Sequence, residues 1–223
     1  MSSVNRFGLV VFDLDGTLVD NRAGIKVAFD ATLDKFGLPR MSDMDIYAGI
    51  GKPILERFET ELPVSRDTAL EMTDYFRSVY LSKGHTGVAL LDGAEEALRR
   101  IRGAGIKTGL ATTKGNNGTQ MLLRETGLDR YFDLALGLTK EFRPKPYPDM
   151  IEHVMDRLGV PKERTAYVGD TPIDMAAARN AGVFPIAVKT GIALGITDLE
   201  ELEESKPGMM IGTLRELPGA LGI

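Results

Sequence analysis

Residues 9–18, LVVFDLDGTL, join an apolar run to two acidic residues and a glycine. An apolar run bounded by Gly is typical of a buried strand, so Asp13 and Asp15 are expected at its carboxyl end. Side chains two residues apart point to the same side of a strand, and two carboxylates held so close favour a bound cation, a shared proton or a reaction. Open α/β sheets place their ligand sites at this end of the strands. The alternative is that both residues begin a turn, since Asp, Gly and Thr are common turn residues.

The composition narrows the class of protein. The chain has 223 residues, a formal net charge of -5 and no cysteine. No cluster of Lys and Arg stands out, which disfavours nucleic-acid binding, and the lack of cysteine excludes disulfides, thiolate metal sites and a Cys nucleophile. No apolar stretch is long enough to span a bilayer, and residues 1–6 lead into the first strand without a signal-peptide core. We therefore expect a cytoplasmic protein of one large domain, or of one domain that carries an insertion, with no nucleic-acid or membrane partner.

Helical patterns follow the first strand. Apolar residues recur at helical spacing over residues 25–36, 53–62 and 67–81, and no strand pattern interrupts them. The next helix is expected to begin with a capping box formed by Asp92 and Glu95. The stretch between the first strand and this helix therefore has the pattern of an all-helical insertion.

From that point the chain alternates between helices and strands. The strands are predicted at residues 106–112, 133–138, 165–169, 184–188 and 209–212. Such alternation is typical of a parallel sheet with helices on both faces, so the fold class is α/β.

Three further groups of polar residues lie at strand ends or in the loops between strands. Thr112 and Thr113 end one strand, Lys145 lies between two prolines, and Asp170 and Asp174 follow another strand. Taken singly, they could be a helix cap, a surface lysine in a stiff loop and turn residues. Together they are expected to converge on one crevice, because the carboxyl ends of parallel strands meet at one edge of the sheet.

These motifs resemble those of the haloacid dehalogenase superfamily, in its phosphatase branch with a helical cap. The first motif is DLDGT at residues 13–17, the second is Thr112, the third is Lys145, and the fourth is residues 169–171 together with Asp174. The KPYP and GIGKP segments, at 145–148 and 49–53, are most similar to phosphoglycolate phosphatases and their close relatives. The resemblance covers essentially the whole chain. It implies a Rossmann-like core of residues 1–20 and 88–223, with helices on both faces, and an all-helical cap at 21–87.

The resemblance also implies roles for the acidic residues. Asp13 would be the nucleophile and a metal ligand, Asp15 a metal ligand through its backbone carbonyl, and Asp170 the second carboxylate ligand. The metal is expected to be Mg²⁺, since it prefers oxygen ligands, and the chain has no Cys and only two His. The Asp15 side chain would be the general acid and base, because an alcohol leaving group needs a proton.

The remaining motif residues would bind and orient the substrate. Thr112 would donate a hydrogen bond to a phosphoryl oxygen, with Thr113 as a further substrate contact. Lys145 would offset the negative charge of the nucleophile and the phosphate. Asp174 would orient Lys145 or a metal-bound water.

The GIGKP segment is a candidate for substrate selection. Gly51 and Lys52 are expected to contact an anionic group on the substrate, with Pro53 at a helix start. The alternative is an ordinary turn between helices. Arg57, one turn further on, could be merely solvated, and His85 and His153 have no spacing typical of metal ligands.

The predicted activity is a Mg²⁺-dependent phosphomonoesterase acting on a small phosphorylated metabolite, phosphoglycolate-like or a sugar phosphate, through an aspartyl-phosphate. A phosphosugar mutase of the same superfamily is the alternative enzyme, and a phospho-accepting domain without catalysis is the third hypothesis. The oligomeric state is expected to be a monomer or a homodimer.

Overall fold

The computed structural model describes residues 6–84 and 86–223. Six strands in these residues form one sheet in the order β5-β4-β1-β6-β7-β8, and all neighbouring pairs are parallel. Two further short strands, β2 and β3, pair antiparallel. The strands are β1 (Leu9–Phe12), β2 (Val19–Asp20), β3 (Ala89–Leu90), β4 (Lys107–Gly115), β5 (Leu134–Leu138), β6 (Thr165–Gly169), β7 (Phe184–Val188) and β8 (Met209–Ile211).

Helices cover both faces of the six-stranded sheet. Val10 and Phe12 of β1 pack into one apolar cluster, and Leu9 and Val11 pack into another on the opposite face. The helices are α1 (Arg22–Lys35), α2 (Asp43–Ala48), α3 (Ile54–Glu61), α4 (Arg66–Lys83), α5 (Ala94–Gly103), α6 (Asn116–Thr126), α7 (Asp149–Leu158), α8 (Pro172–Asn180), α9 (Thr190–Ala193), α10 (Leu199–Glu204) and α11 (Leu217–Leu221). The first cluster includes residues of α5, α6 and α11, and the second includes residues of α7 and α8. The predicted α/β fold with a Rossmann-like sheet is confirmed. No helix among the described residues is long and apolar enough to cross a bilayer.

Helices α1 to α4, here called the helical segment, share an apolar cluster that also includes Leu194 and Ile196. Phe29, Phe58 and Phe76 pack edge to face, with ring centroids 5.2 to 6.1 Å apart. Aromatic pairs in this geometry stabilise a core beyond the effect of their buried area. The ends of the segment are brought together by β2 and β3, in which Val19 pairs with Leu90. We propose this pair as the junction between the cap and the core.

The structure differs from the predictions at several element boundaries. The strands β2 and β3 and the helix α2 were not predicted, because each is too short for a clear periodicity. Helix α6 begins at Asn116, earlier than its apolar pattern indicates. The capping box at Asp92 is wrong: the cap of α5 is Gly93, with φ +81°, and the Asp92 carboxylate pairs with Arg215 at 2.7 Å.

Candidate active site

The two acids of the first motif lie where β1 ends. The backbone N–H of Asp13 donates to the carbonyl of Val168 at 2.9 Å, which ties this residue to the neighbouring strand β6. Asp13 is only 2% exposed. Asp15 begins the turn that follows, in which Gly16 has φ +82°, a backbone conformation that glycine adopts readily. Asp13 and Asp15 both line one cavity of about 650 Å³.

Lys145 brings two of the motifs together. Its Nζ lies 2.8 Å from Oδ1 of Asp13 and 2.5 Å from Oδ1 of Asp174. The other oxygen of Asp174 accepts hydrogen bonds from the backbone N–H groups of Asp170 and Thr171 and from the Thr171 hydroxyl. Asp174 is therefore saturated and fixes the ammonium beside Asp13.

Tyr167 completes the surroundings of Lys145 and was not among the predicted site residues. Its hydroxyl accepts from Lys145 at 3.2 Å and donates to the carbonyl of Ala111 at 2.8 Å. Burial, and then the nearby carboxylates, hold the pKa of Tyr167 well above its ordinary value, so the hydroxyl stays protonated. Within β6 its side chain has the alternating position of a core residue, so the sequence alone had no signal for this contact.

Asp170 has one satisfied oxygen and one free oxygen. Oδ1 accepts from the Thr17 hydroxyl at 2.6 Å, whereas Oδ2 is buried and has no hydrogen-bond partner among the described residues. A Cβ on Gly16 would lie 2.2 Å from Oδ2, and a Cβ on Gly191 would lie 2.3 Å from it. Both positions therefore require glycine for the carboxylate to keep its place. The Thr190 hydroxyl donates a hydrogen bond to the Gly16 carbonyl at 2.6 Å.

The electrostatics of the cluster are dominated by burial. Burial raises the pKa of Asp13 to about 6, although Lys145 opposes the effect, and it holds the pKa of Asp170 well above its ordinary value, with a further increase from Asp174 and Asp13. Burial alone would lower the pKa of Lys145, but Asp13 and Asp174 outweigh it and raise that pKa. Close carboxylates in a buried site are stabilised in their charged form by a cation.

The residues fit a hard divalent cation. One oxygen each from Asp13, Asp170 and Asp174 lie within 4.8 Å of one another. Because both oxygens of Asp174 already accept hydrogen bonds, Asp13 and the free Oδ2 of Asp170 are the available carboxylate ligands. Carboxylate oxygens are the ligands that Mg²⁺ takes, with water and carbonyl oxygens completing its octahedron.

Thr112 and Thr113 lie at the irregular end of β4 and line the same cavity. Both are buried, with exposures of 2% and 6%. The Thr112 hydroxyl accepts from the backbone N–H of Lys114 at 3.4 Å, and the Thr113 hydroxyl has no hydrogen-bond partner in the part of the chain that the structure describes. The two hydroxyls remain available to a ligand, beside the start of α6.

Lys114 belongs to the site, and no role was predicted for it from the sequence. Its ammonium pairs with Oδ2 of Asp15 at 2.8 Å and lies 4.4 Å from the centroid of the Tyr80 ring. The sequence could have indicated a site residue here, because Lys114 directly follows Thr112 and Thr113. No sequence pattern indicated Tyr80 as a site residue, since it lies within the apolar stripe of α4.

The GIGKP segment closes the other side of the cavity. A Cβ on Gly51, whose φ is +98°, would lie 3.8 Å from Cγ2 of Thr171, so this turn reaches the fourth motif. Lys52 is exposed, and no ion pair joins it to any residue within 6–84 or 86–223. Pro53 is the residue before α3, not its first residue. Gly49 has a packing role, because a Cβ there would lie 2.1 Å from Cζ of Arg57.

Arg57 is not solvated, which corrects the expectation. It is 3% exposed, and its guanidinium donates to the carbonyls of Ile46 and Asp45, both at 2.9 Å, and to the carboxylate of Glu61. It therefore joins α3 to α2. His153 packs against the Phe142 ring, 5.1 Å between centroids, and the expectation for His85 lies outside the described residues.

Comparisons with known proteins agree with this architecture. The family model described as haloacid dehalogenase-like hydrolase matches residues 10–188. The chain is 34% identical to a protein of Dickeya dadantii named "Probable phosphatase IndB", over 95% of this chain and 92% of that one. It is 33% identical to a phosphoglycolate phosphatase of Pseudomonas syringae pv. tomato, over 96% of this chain and 80% of that one. A solved hydrolase of the haloacid dehalogenase-like family from Streptococcus pneumoniae superposes with a TM-score of 0.85 at 26% identity, covering 96% and 98% of the two chains.

Proposed function

The chain belongs to the haloacid dehalogenase-like hydrolase family and is an enzyme of the phosphatase type, and from this premise we propose that it is a Mg²⁺-dependent phosphomonoesterase. Its substrate is a small phosphorylated metabolite, phosphoglycolate-like or a sugar phosphate. The reaction proceeds through a phosphoryl group bound covalently to Asp13.

One observation carries the proposal. A buried cluster of carboxylates, from Asp13, Asp170 and Asp174, faces a single buried ammonium, Lys145, and leaves Oδ2 of Asp170 without a partner among the described residues. A buried charge without a partner is costly, so such a cluster favours a cation bound between Asp13 and Asp170. When bound, Mg²⁺ reduces the charge repulsion between a carboxylate nucleophile and a phosphate dianion. The backbone carbonyl of Asp15 is the further protein ligand implied by the family resemblance.

The chemical steps use the two acids of the first motif. A carboxylate oxygen of Asp13 forms a bond to phosphorus while the bond between phosphorus and the ester oxygen breaks, and Asp15 gives its proton to the leaving alcohol. Asp15 then takes a proton from a water molecule that attacks phosphorus. That second step breaks the bond to Asp13 and releases inorganic phosphate.

The residues around these acids bind and orient the phosphoryl group. Lys145 offsets negative charge on Asp13 and on the phosphoryl oxygens, and Asp174 keeps Lys145 in position. The hydroxyls of Thr112 and Thr113 bind the phosphoryl group. On the side of the helical segment, Gly51 and Lys52 line the cavity. A cation at this position supports a substrate with an anionic leaving group, such as one of the phosphoglycolate type.

The test is release of inorganic phosphate from a panel of phosphorylated metabolites, with the metal-free protein as the control. We expect hydrolysis with Mg²⁺, little or none after exhaustive chelation, and weaker recovery with Ca²⁺, which does not keep the compact octahedral geometry. Release of phosphate without a bisphosphate activator distinguishes hydrolysis from a phosphosugar mutase. Full activity after exhaustive chelation would exclude the metal-dependent mechanism.

A further inference from the structure

Lys114 lies where the strand ends meet the helical segment. Its Nζ is 2.8 Å from Oδ2 of Asp15, and only 10% of the Lys114 side chain and 11% of the Asp15 side chain are exposed. Both residues line the cavity. The ion pair therefore borders the space in which a substrate must bind.

Tyr80 holds the ammonium from the side of the helical segment. The ring centroid lies 4.4 Å from Nζ of Lys114, within the range of a cation–π interaction. Tyr80 is 5% exposed, and its hydroxyl accepts a hydrogen bond from the side-chain amide of Asn21. A buried chain of contacts thus runs from Asn21 through Tyr80 and Lys114 to Asp15.

The two oxygens of Asp15 have different surroundings. Lys114 holds Oδ2, whereas Oδ1 is buried and accepts no hydrogen bond from any residue that the structure describes. The ion pair at Oδ2 restricts rotation of the carboxyl group and so narrows the positions that Oδ1 can take. Transfer of a proton to a leaving group requires a heavy-atom distance of about 2.6–3.2 Å, and a displacement of about 1 Å can cost a factor of about a hundred in rate.

We propose that Lys114 is a positioning residue: it holds the Asp15 carboxyl through Oδ2 so that Oδ1 faces the oxygen of the leaving alcohol. This inference rests on the proposed function, in which Asp15 protonates that oxygen. Tyr80 and Asn21 keep the ammonium in place. The helical segment therefore contributes to the geometry of proton transfer as well as to the shape of the cavity.

The experiment compares phenyl phosphate with p-nitrophenyl phosphate in the full-length Mg²⁺-loaded protein. The two esters have similar rings, but phenolate is the more basic leaving group and depends more on protonation. Because both esters share the second step, the rate compared is that of alcohol release in a single turnover at saturating substrate. Lys114→Met should lower this rate on phenyl phosphate by about tenfold to a hundredfold and on p-nitrophenyl phosphate by less than about threefold, with little change in either KM. Lys114→Arg, which keeps the charge, should restore most of the lost rate.

A double variant separates positioning from an independent role. If Lys114 acts only through Asp15, then Asp15→Asn combined with Lys114→Met should be no more than about threefold slower on phenyl phosphate than Asp15→Asn alone. Multiplication of the two single losses would overturn the proposal. So would a rise in KM alone, which would instead make Lys114 a substrate-binding residue.

Lys26→Met is the matched control. Lys26 also pairs with a carboxylate at 2.8 Å, that of Asp43, but it does not line the cavity, so both rates should stay unchanged. Thermal melting checks that each variant is folded. Should Lys114→Met not fold, Tyr80→Phe takes its place, with a selective loss of a few-fold expected on phenyl phosphate. Equal losses on both esters in a folded variant would overturn the inference, whereas a wild-type protein that hydrolyses neither ester with Mg²⁺ would overturn the proposed function itself.

Discussion

Lys145 and Arg57 are both buried cations, one beside the strand ends and the other in the helical segment. Lys145 is 4% exposed and Arg57 is 3% exposed. The partners of Lys145 are the carboxylates of Asp13 and Asp174, whereas Arg57 donates mainly to backbone carbonyls and to Glu61, one helical turn away.

The two sites differ in whether the acceptor groups around the cation still have oxygen atoms available to bind a ligand. The carboxylates around Lys145 belong to a cluster that contains a buried oxygen, Oδ2 of Asp170, with no hydrogen-bond partner within residues 6–84 and 86–223. The acceptors around Arg57 are carbonyls at the end of α2 and the Glu61 carboxylate on its own helix, and this pairing stabilises the arrangement of the helices. Burial of a charge is thus evidence for a reactive site only when its partners are themselves titratable and incompletely satisfied. Four substitutions test this contrast.

The largest effect is expected for Asp13→Asn. The amide is nearly isosteric with the carboxyl group but cannot form the acyl phosphate, so turnover should fall by more than about a thousandfold. The measurement is phosphate release with Mg²⁺, together with a melting curve to check the fold. Retention of a tenth of the wild-type turnover would mean that Asp13 is not the nucleophile.

Lys145→Met should lower kcat by about a hundredfold to a thousandfold, the usual range for loss of one group that stabilises charge in the transition state. It should also lower stability, because Asp13 and Asp174 lose their shared cation in a buried site. Steady-state kinetics and melting with and without Mg²⁺ measure the two effects. A destabilised but fully active variant would make Lys145 equivalent to Arg57 and remove the contrast.

Lys52→Ala should affect only substrates with an anionic leaving group. We expect kcat/KM on phosphoglycolate to fall by about tenfold to a hundredfold, the scale of one charge-assisted contact of about 1.5–3 kcal/mol, and p-nitrophenyl phosphate to be hydrolysed almost as before. A general disturbance of the helical segment would lower both rates. Equal losses, or none, would mean that Lys52 is a solvated surface residue.

Arg57→Met should have the smallest effect on activity. Loss of its buried hydrogen bonds should lower the free energy of unfolding by about 1–3 kcal/mol, while kcat/KM of the folded protein changes by less than about threefold. Arg66→Met is the matched control, since Arg66 pairs with Glu59 at 2.6 Å on an exposed surface, where such a pair contributes little. Chemical denaturation gives the stability, and a large kinetic loss without a stability change would contradict the structural role.

Much of the candidate active site could be predicted from the sequence, because its residues follow or end strands or lie in the loops between them. Asp13, Thr112 and Asp170 follow or end apolar runs, and a parallel sheet brings such ends to one edge. Lys145 is delivered to the same edge by the loop before α7. The β6 and β7 strands were predicted at their observed bounds, since each is a continuous apolar run of ordinary length.

The helical segment was harder to predict in detail. Its apolar spacing indicated helices over 25–36, 53–62 and 67–81, but the same spacing does not say which polar residue is buried. Arg57 and Lys52 are both cations close to the start of α3, and only packing makes one a buried clamp and leaves the other exposed.

The sequence by itself therefore determined the α/β class, the run of helices after the first strand and the set of residues at the strand ends, since these depend on local periodicity and on a general rule of sheet topology. The tertiary structure alone decided the contacts that cross between distant segments. Tyr80 reaches Lys114, Thr17 holds Asp170, and Gly191 makes room for the same carboxylate. Such contacts depend on how helices and strands pack in three dimensions, and the spacing of residues along the chain does not indicate which distant side chains come together.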